Sequence, residues 1–203
     1  MENQTLQFME WEFIPARYIK AKRDGIINHN IELFAKHLQN AINAFKNGKN
    51  IILLGGVGRG KSFLAYEIAY SIKFANLKVG IQDCPITCYR ASNIIADYKG
   101  NYSNLSTIEK ILSYHSYKNQ NWRIGVKGVI IDEIDDIAQN DYTLLNEIVV
   151  TCYERMLPLI LISNKNARGF FENFSDKALS RLNENSMLIQ AQGNDLRTLT
   201  NKQ

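Results

Sequence analysis

The sequence predicts an α/β fold with a mainly parallel sheet. Three features carry that expectation: short unbroken apolar runs of strand length, segments of helical period between them, and a glycine cluster that joins the first run to the helix after it. At roughly 150 residues per domain, the 203 residues suit one domain with at most a small appendage. Charged residues make up 22% and apolar residues 45%, a balance that excludes a disordered or collagen-like chain. With only 3 Pro and 12 Gly, linkers have to be short.

The opening segment mixes aromatic and basic residues (Trp11, Phe13, Pro15, Arg17, Tyr18, Lys20, Lys22, Arg23) and closes on the turn pair Asp24-Gly25, so it reads as an arm or a short helix. Residues 1–30 are taken as this arm and 31–203 as the main domain. From Ile31 to Phe45, apolar residues recur at helical spacing until Asn47-Gly48 stops them. Ile51 to Leu54 has the continuous apolar character of a buried parallel strand and runs into Gly55. A helix follows from Lys61 to Ala75, then a strand within Val79 to Tyr89, broken near Cys84-Pro85. Helical spacing returns at Ala91 to Tyr98 and at Thr107 to Tyr117, on either side of a loop at 100–104. Val129 to Ile131 is the next buried strand and ends in Asp132, Glu133, Asp135 and Asp136. A helix at Leu144 to Arg155, a strand at Leu157 to Ile162, helical or turn-rich stretches at Phe170 to Asp176 and Ala178 to Leu182, and a last strand at Met187 to Ala191 complete the order.

Several function classes drop out early. No apolar run approaches the ~20 residues of a membrane span, and Met1 to Glu10 has neither the basic start nor the apolar centre of a secretion signal. A cytoplasmic location without membrane contact is expected. Cys84, Cys88 and Cys152 are odd in number, and C-x3-C is not the spacing of a zinc knuckle, so reduced thiols are expected. His29, His37 and His115 have no partners at metal spacing. A net charge of +4 permits contact with phosphates without demanding it.

The chemistry begins at Gly55-Gly56-Val57-Gly58-Arg59-Gly60-Lys61-Ser62, which fits G-x-x-x-x-G-K-[ST] in full between a predicted strand and a predicted helix. Glycines let the backbone curl so that successive N–H groups face one point, and the helix aims its positive end there. Lys61 then reaches the β- and γ-phosphates, and the Ser62 hydroxyl ligates Mg²⁺. A plain strand-to-helix turn would need neither the lysine nor the hydroxyl. Nucleotide contacts are accordingly expected from Gly55, Gly56, Val57, Gly58, Arg59, Gly60, Lys61, Ser62 and Phe63.

Seventy residues on, Asp132 and Glu133 stand at the end of a buried strand, and ligands of doubly wound sheets sit beyond strand carboxyl ends. Asp132 is expected to hold the Mg²⁺ hydration shell and Glu133 to orient and partly deprotonate the attacking water. Asp135 and Asp136 read as a solvated acidic face. Asn164, after the strand at Leu157 to Ile162, is placed to bond the γ-phosphate or the water. The stretch Asn164-Lys165-Asn166-Ala167 mimics the guanine-reading N-K-x-D, but Ala167 stands where the Asp must be. GTP specificity is therefore not expected.

Taken together, Gly55 to Ser62 looks like Walker A, Val129 to Glu133 like Walker B, Asn164 like sensor 1, Arg181 in Ser180-Arg181-Leu182 like an arginine finger, and Arg197 in Gly193-Asn194-Asp195-Leu196-Arg197 like sensor 2. This set, in this order, resembles the AAA+ ATPases of the DnaC/DnaI helicase-loader and IstB transposition-helper group, over about Pro15 to Arg197. The resemblance implies a P-loop NTPase with a three-layer αβα sandwich, ATP and Mg²⁺ as cofactors, and hydrolysis with Glu133, Asn164, Arg181 and Arg197 as catalytic residues. It also implies subunits that assemble into a spiral or ring around single-stranded DNA, with Arg181 completing a neighbour's site, and a replicative, hexameric DNA helicase as client.

One departure accompanies the resemblance. About fifty residues precede the P-loop strand, so the separate helicase-binding N-terminal domain of the loaders is expected to be lacking. Phe13-Ile14-Pro15-Ala16-Arg17-Tyr18 does resemble the I-P-x-R-[FY] stretch that lies near the adenine in that group. DNA contact would fall between Tyr89 and Asn121, where Arg90, Tyr98, Lys99, Tyr102, Lys110, Tyr114, His115, Tyr117 and Lys118 mix stacking rings with cations. Half-buried tyrosines and solvated lysines account for the same pattern. Beside the helicase loader stand a transposition helper acting on duplex DNA and a non-catalytic module that uses ATP as an assembly switch or inhibits a helicase.

Overall fold

A computed structural model describes residues 15–23, 31–78, 86–100, 128–193 and 195. The elements are α1 (Ala16–Arg23), α2 (Ile31–Lys46), β1 (Asn50–Leu54), α3 (Lys61–Lys78), β2 (Ile86–Arg90), α4 (Ala91–Gly100), β3 (Gly128–Asp132), two short 3₁₀ turns (Ile134–Asp136 and Gln139–Asp141), α5 (Tyr142–Glu154), β4 (Leu159–Ile162), α6 (Ala167–Phe171), α7 (Asp176–Glu184) and β5 (Ser186–Gln190). The five strands form one sheet in the order β2-β3-β4-β1-β5, and every pairing in it is parallel.

Alternation along the strands separates two cores. Ile51, Leu53, Ile86, Ile130, Ile160, Ile162 and Ile189 face the layer that includes α1, α2 and α3, where Tyr18, Phe45, Leu64, Ile68 and Ile72 are buried. Ile52, Leu54, Val129, Ile131, Leu159 and Leu161 face the other way, onto Ile94 of α4, Leu145 and Ile148 of α5, Phe170 of α6 and Leu182 of α7. Side chains of successive strand residues point to opposite faces, so runs such as Ile51 to Leu54 have to be apolar throughout to serve both. The result is a three-layer αβα sandwich: its parallel sheet is what the sequence pattern implied, and its layering is what the family resemblance implied.

The expected stop of α2 is realised as a Schellman turn. Gly48 takes φ +79°, its N–H bonds the Phe45 carbonyl at 3.0 Å, and the Lys49 N–H bonds the Ala44 carbonyl at 3.0 Å. Strand β4 begins two residues later than the apolar run suggests. Pro158 has no N–H to give to a ladder, and its carbonyl instead accepts from the Val129 N–H at 3.1 Å. The segment expected to be an arm or short helix contains α1, whose Tyr18 is buried and donates to Glu67 Oε2 of α3 at 2.5 Å, while Lys22 Nζ lies 2.6 Å from the same carboxylate. Burial and the neighbouring Glu67 charge push the Tyr18 phenol far above its ordinary range, keeping it a proton donor. The strand expected within Val79 to Tyr89 is seen as β2 from Ile86. Its earlier residues, the helix expected at Thr107 to Tyr117 and the loop before it lie outside the described residues. Among the described residues no helix is long and apolar enough to cross a membrane.

Candidate functional site

Because all strands are parallel, everything that follows a strand emerges at one edge of the sheet. The order β3-β4-β1 therefore lines up three strand ends side by side: Asp132-Glu133 after β3, Ser163-Asn164 after β4, and the glycine loop after β1. Neighbouring strands lie about 4.8 Å apart, so the outer two ends are about 10 Å apart, with the Asn164 strand between them.

The loop from Gly55 to Gly60 is shaped by close approach as well as by backbone angle. A β-carbon at Gly55 (φ +125°) would fall 2.3 Å from the Ala191 carbonyl oxygen, and one at Gly58 (φ +74°) would fall 1.8 Å from a carboxylate oxygen of Asp195. Glycine is the residue that fits both demands. Arg59 Nη1 donates to the Ala191 carbonyl at 3.1 Å, so the segment after β5 is tied against the loop. Lys61 opens α3 and is only 6% exposed. Its Nζ donates to the carbonyls of Gly55 at 2.6 Å and Gly56 at 2.8 Å and to Asn164 Oδ1 at 2.9 Å. Ser62 follows it in the first turn, and the Gly60 carbonyl accepts the Leu64 N–H at 2.8 Å. The first N–H groups of that turn, together with the positive end of the helix, face the loop. Val57 is exposed at the loop tip, whereas the Phe63 ring packs 5.6 Å from that of Tyr18.

Asp132 is 5% exposed, and its Oδ1 accepts the Glu133 N–H at 2.8 Å. Glu133 itself has φ 57° and ψ 45°, a left-handed conformation that costs a non-glycine residue roughly 1–2 kcal/mol. That turn takes the Glu133 side chain off the line of β3. Its Oε2 lies 3.3 Å from Arg90 Nε, at the end of β2, where Arg90 is in register with Asp132. Hard oxygen donors are what Mg²⁺ prefers, and it is usually held by one or two carboxylates together with substrate phosphates. Asp132 and the Ser62 hydroxyl match that pattern. No cluster of three or more His, Cys, Asp or Glu able to hold a metal occurs among the described residues.

Asp135 departs from the expectation of a solvated acidic face. Its Oδ1 accepts the Ser163 hydroxyl at 2.7 Å and its Oδ2 accepts the Asn164 backbone N–H, whereas Asp136 is exposed as expected. Arg90, one of the cations in the expected DNA-facing set, pairs with Glu133. Of the same set, Tyr98 is exposed and Lys99 is 2.7 Å from Asp141, while Tyr89 at the region's edge packs against the core. Tyr102, Lys110, Tyr114, His115, Tyr117 and Lys118 lie outside the described residues, as does Arg197. Asn166, part of the sequence that mimics the guanine motif, caps α6 by accepting the Gly169 N–H at 2.8 Å. The partners of Asp135 and Arg90 are 28 to 43 positions away, and no local pattern announces such pairs.

Arg181 stands elsewhere. It lies in the last turn of α7, which runs into β5, and Ser186 at the start of β5 is in register with Asn50 at the start of β1. This is the sheet edge opposite the glycine loop. The guanidinium lies 4.8 Å above the Tyr153 ring and 3.9 Å from Glu184, while its Nε is buried without a hydrogen-bond partner.

This architecture matches the fold of AAA+ P-loop NTPase domains. No protein-family profile and no curated protein sequence matches the chain. Solved structures do. The DnaI structure superposes with a TM-score of 0.54 at 14% identity, over 78% of this chain and 84% of that one. AMPPCP-bound DnaA from Aquifex aeolicus gives 0.53 at 16% identity over 82% and 49%, and the Aeropyrum pernix ORC1 protein in complex with DNA gives 0.54 at 18% over 76% and 44%. The chain is thus similar in fold to AAA+ replication proteins, and it spans less than half the length of the latter two.

Proposed function

We propose that the chain binds and hydrolyses ATP as an AAA+ protein of DNA replication, and that it acts as a helicase loader. The observation that carries this reading is the joining of two strand ends through one lysine, beside a third: Lys61 bonds the glycine loop and Asn164 together, on the sheet edge where Asp132 is buried. In this reading the loop and the first turn of α3 cradle the phosphates, and Lys61 exchanges part of its carbonyl set for the β- and γ-phosphates. Ser62 and Asp132 are the residues that would hold Mg²⁺, which supplies neutralising charge at the phosphate oxygens when bound. Glu133 orients the attacking water once its carboxylate leaves Arg90, and Asn164 addresses the γ-phosphate.

Arg181 belongs to a neighbour's site in this scheme. Its place near the opposite edge of the sheet keeps it from its own glycine loop, and its guanidinium, on a side chain 34% exposed, is open to a new acceptor when subunits meet. Arg197 is proposed as a second arginine on the γ-phosphate. Self-association, single-stranded DNA and a hexameric replicative helicase are the partners proposed, in the cytoplasm. The DnaI likeness over most of both chains favours the loader over the helper and the switch module.

Binding and steady-state phosphate release, with and without single- and double-stranded DNA, test the reading. Lys61→Ala is expected to lose ATP affinity by at least about tenfold, the scale of a charge-assisted hydrogen bond. Glu133→Gln should keep binding while turnover falls by about 10² to 10⁴. Wild-type protein without ATP affinity, or normal turnover by Glu133→Gln, overturns it. Capture on the ATP-loaded Glu133→Gln protein separates clients: a hexameric helicase supports the loader, a transposase the helper.

A further inference from the structure

We propose that Asp135 is a positioning residue for the γ-phosphate end of the site, acting through Asn164; this rests on the nucleotide reading above. A single carboxylate in the turn after β3 engages two successive residues at the end of β4. Oδ1 accepts from Ser163 Oγ at 2.7 Å, and Oδ2 accepts from the Asn164 N–H. Ser163 is 1% exposed, and its Oγ in turn accepts the Lys165 N–H at 3.0 Å, so one side chain holds the Asn164 N–H directly and the Lys165 N–H through Ser163.

The consequence reaches the Asn164 carboxamide. Such a group has one accepting end and one donating end. Lys61 Nζ occupies the accepting end at 2.9 Å, which turns the NH₂ end away from the lysine as a hydrogen-bond donor. The chain of contacts Asp135 to Asn164 to Lys61 therefore orients a donor at the middle of three adjacent strand ends. A donor there discriminates a nucleotide that carries a γ-phosphate from one that does not. An aspartate read as surface charge becomes a determinant of ATP over ADP.

The test compares ATP and ADP dissociation constants and kcat for wild type, Asp135→Asn, and Asp135→Glu, which keeps both oxygens but moves them out by one methylene. Asp135→Asn places an NH₂ group where one carboxylate oxygen accepted. Both variants are expected to lower kcat at least tenfold and to weaken ATP three- to tenfold, with ADP affinity changed less than twofold. A fold defect would weaken both nucleotides alike. In an Asn164→Ala background, Asp135→Asn is expected to add less than a further twofold, because the two residues act as one unit. Unchanged kcat, equal loss of ADP and ATP, or effects that multiply in the double variant overturn the proposal while leaving the nucleotide site standing. Wild type that binds neither nucleotide overturns both.

Discussion

Arg90→Ala is expected to raise turnover. Arg90 Nε lies 3.3 Å from Glu133 Oε2, with the arginine side chain 56% and the glutamate side chain 31% exposed. At that exposure solvent screens the pair, and its worth is that of a surface ion pair, about 0.2 to 1 kcal/mol. If Glu133 has to leave Arg90 before it can orient water, deleting the arginine removes that cost from the barrier. The gain in kcat is the same energy as a rate, about 1.4- to 5-fold. The assay is steady-state phosphate release at saturating ATP for wild type and Arg90→Ala, repeated from low salt to about 0.5 M. Since the pair is partly solvated, added salt weakens it in the wild type, so the ratio of the two rates should fall towards one. A lower kcat in Arg90→Ala at low salt, or a ratio that does not move with salt, refutes the idea that this contact restrains Glu133.

Two further outcomes are expected. Lys61→Ala and Arg181→Ala proteins, each inactive alone, should recover measurable ATP turnover when mixed, because one kind of mixed junction carries both intact groups; no recovery from assembled mixtures would exclude a finger shared between subunits. Burial pushes the Cys88 and Cys152 thiols up to about 12 from an ordinary 9.0, so at pH 8 alkylation mapped by mass spectrometry should find both modified about a hundred- to a thousandfold more slowly than in denatured chain. The same shifts favour the neutral thiols in the folded state, so their contribution to stability is complete below pH 9 and is lost as pH rises from 9 towards 12. Modification of native Cys88 at the denatured rate would mean that β2 is open.

The parts of the site legible in the sequence are those whose geometry is local. Gly55 to Ser62 could be read because a run of glycines, a lysine and a hydroxyl at the start of a helix define an anion cradle within eight consecutive residues. Asp132 and Glu133 could be read because a buried strand that ends in carboxylates presents them at its tip. Asn164 followed by the same logic. Arg90 and Asp135 could not. Each acts through a residue on another strand end or loop, and nothing near it in sequence distinguishes it from a surface charge.

Residue order alone determined the alternation of strands and helices, because apolar runs and helical periods are properties of short windows. It also determined that the glycine run from Gly55 to Gly60 joins a strand to a helix. Tertiary structure decided which strand ends became neighbours. Placing β4 between β3 and β1 brings Asp135 against Ser163 and Asn164, and Asn164 against Lys61; placing β2 beside β3 brings Arg90 to Glu133. That order is settled by hydrogen bonding and burial between segments far apart in the chain. A charge whose partner stands at the end of the next strand of the sheet, tens of residues along the chain, has no trace in its own neighbourhood.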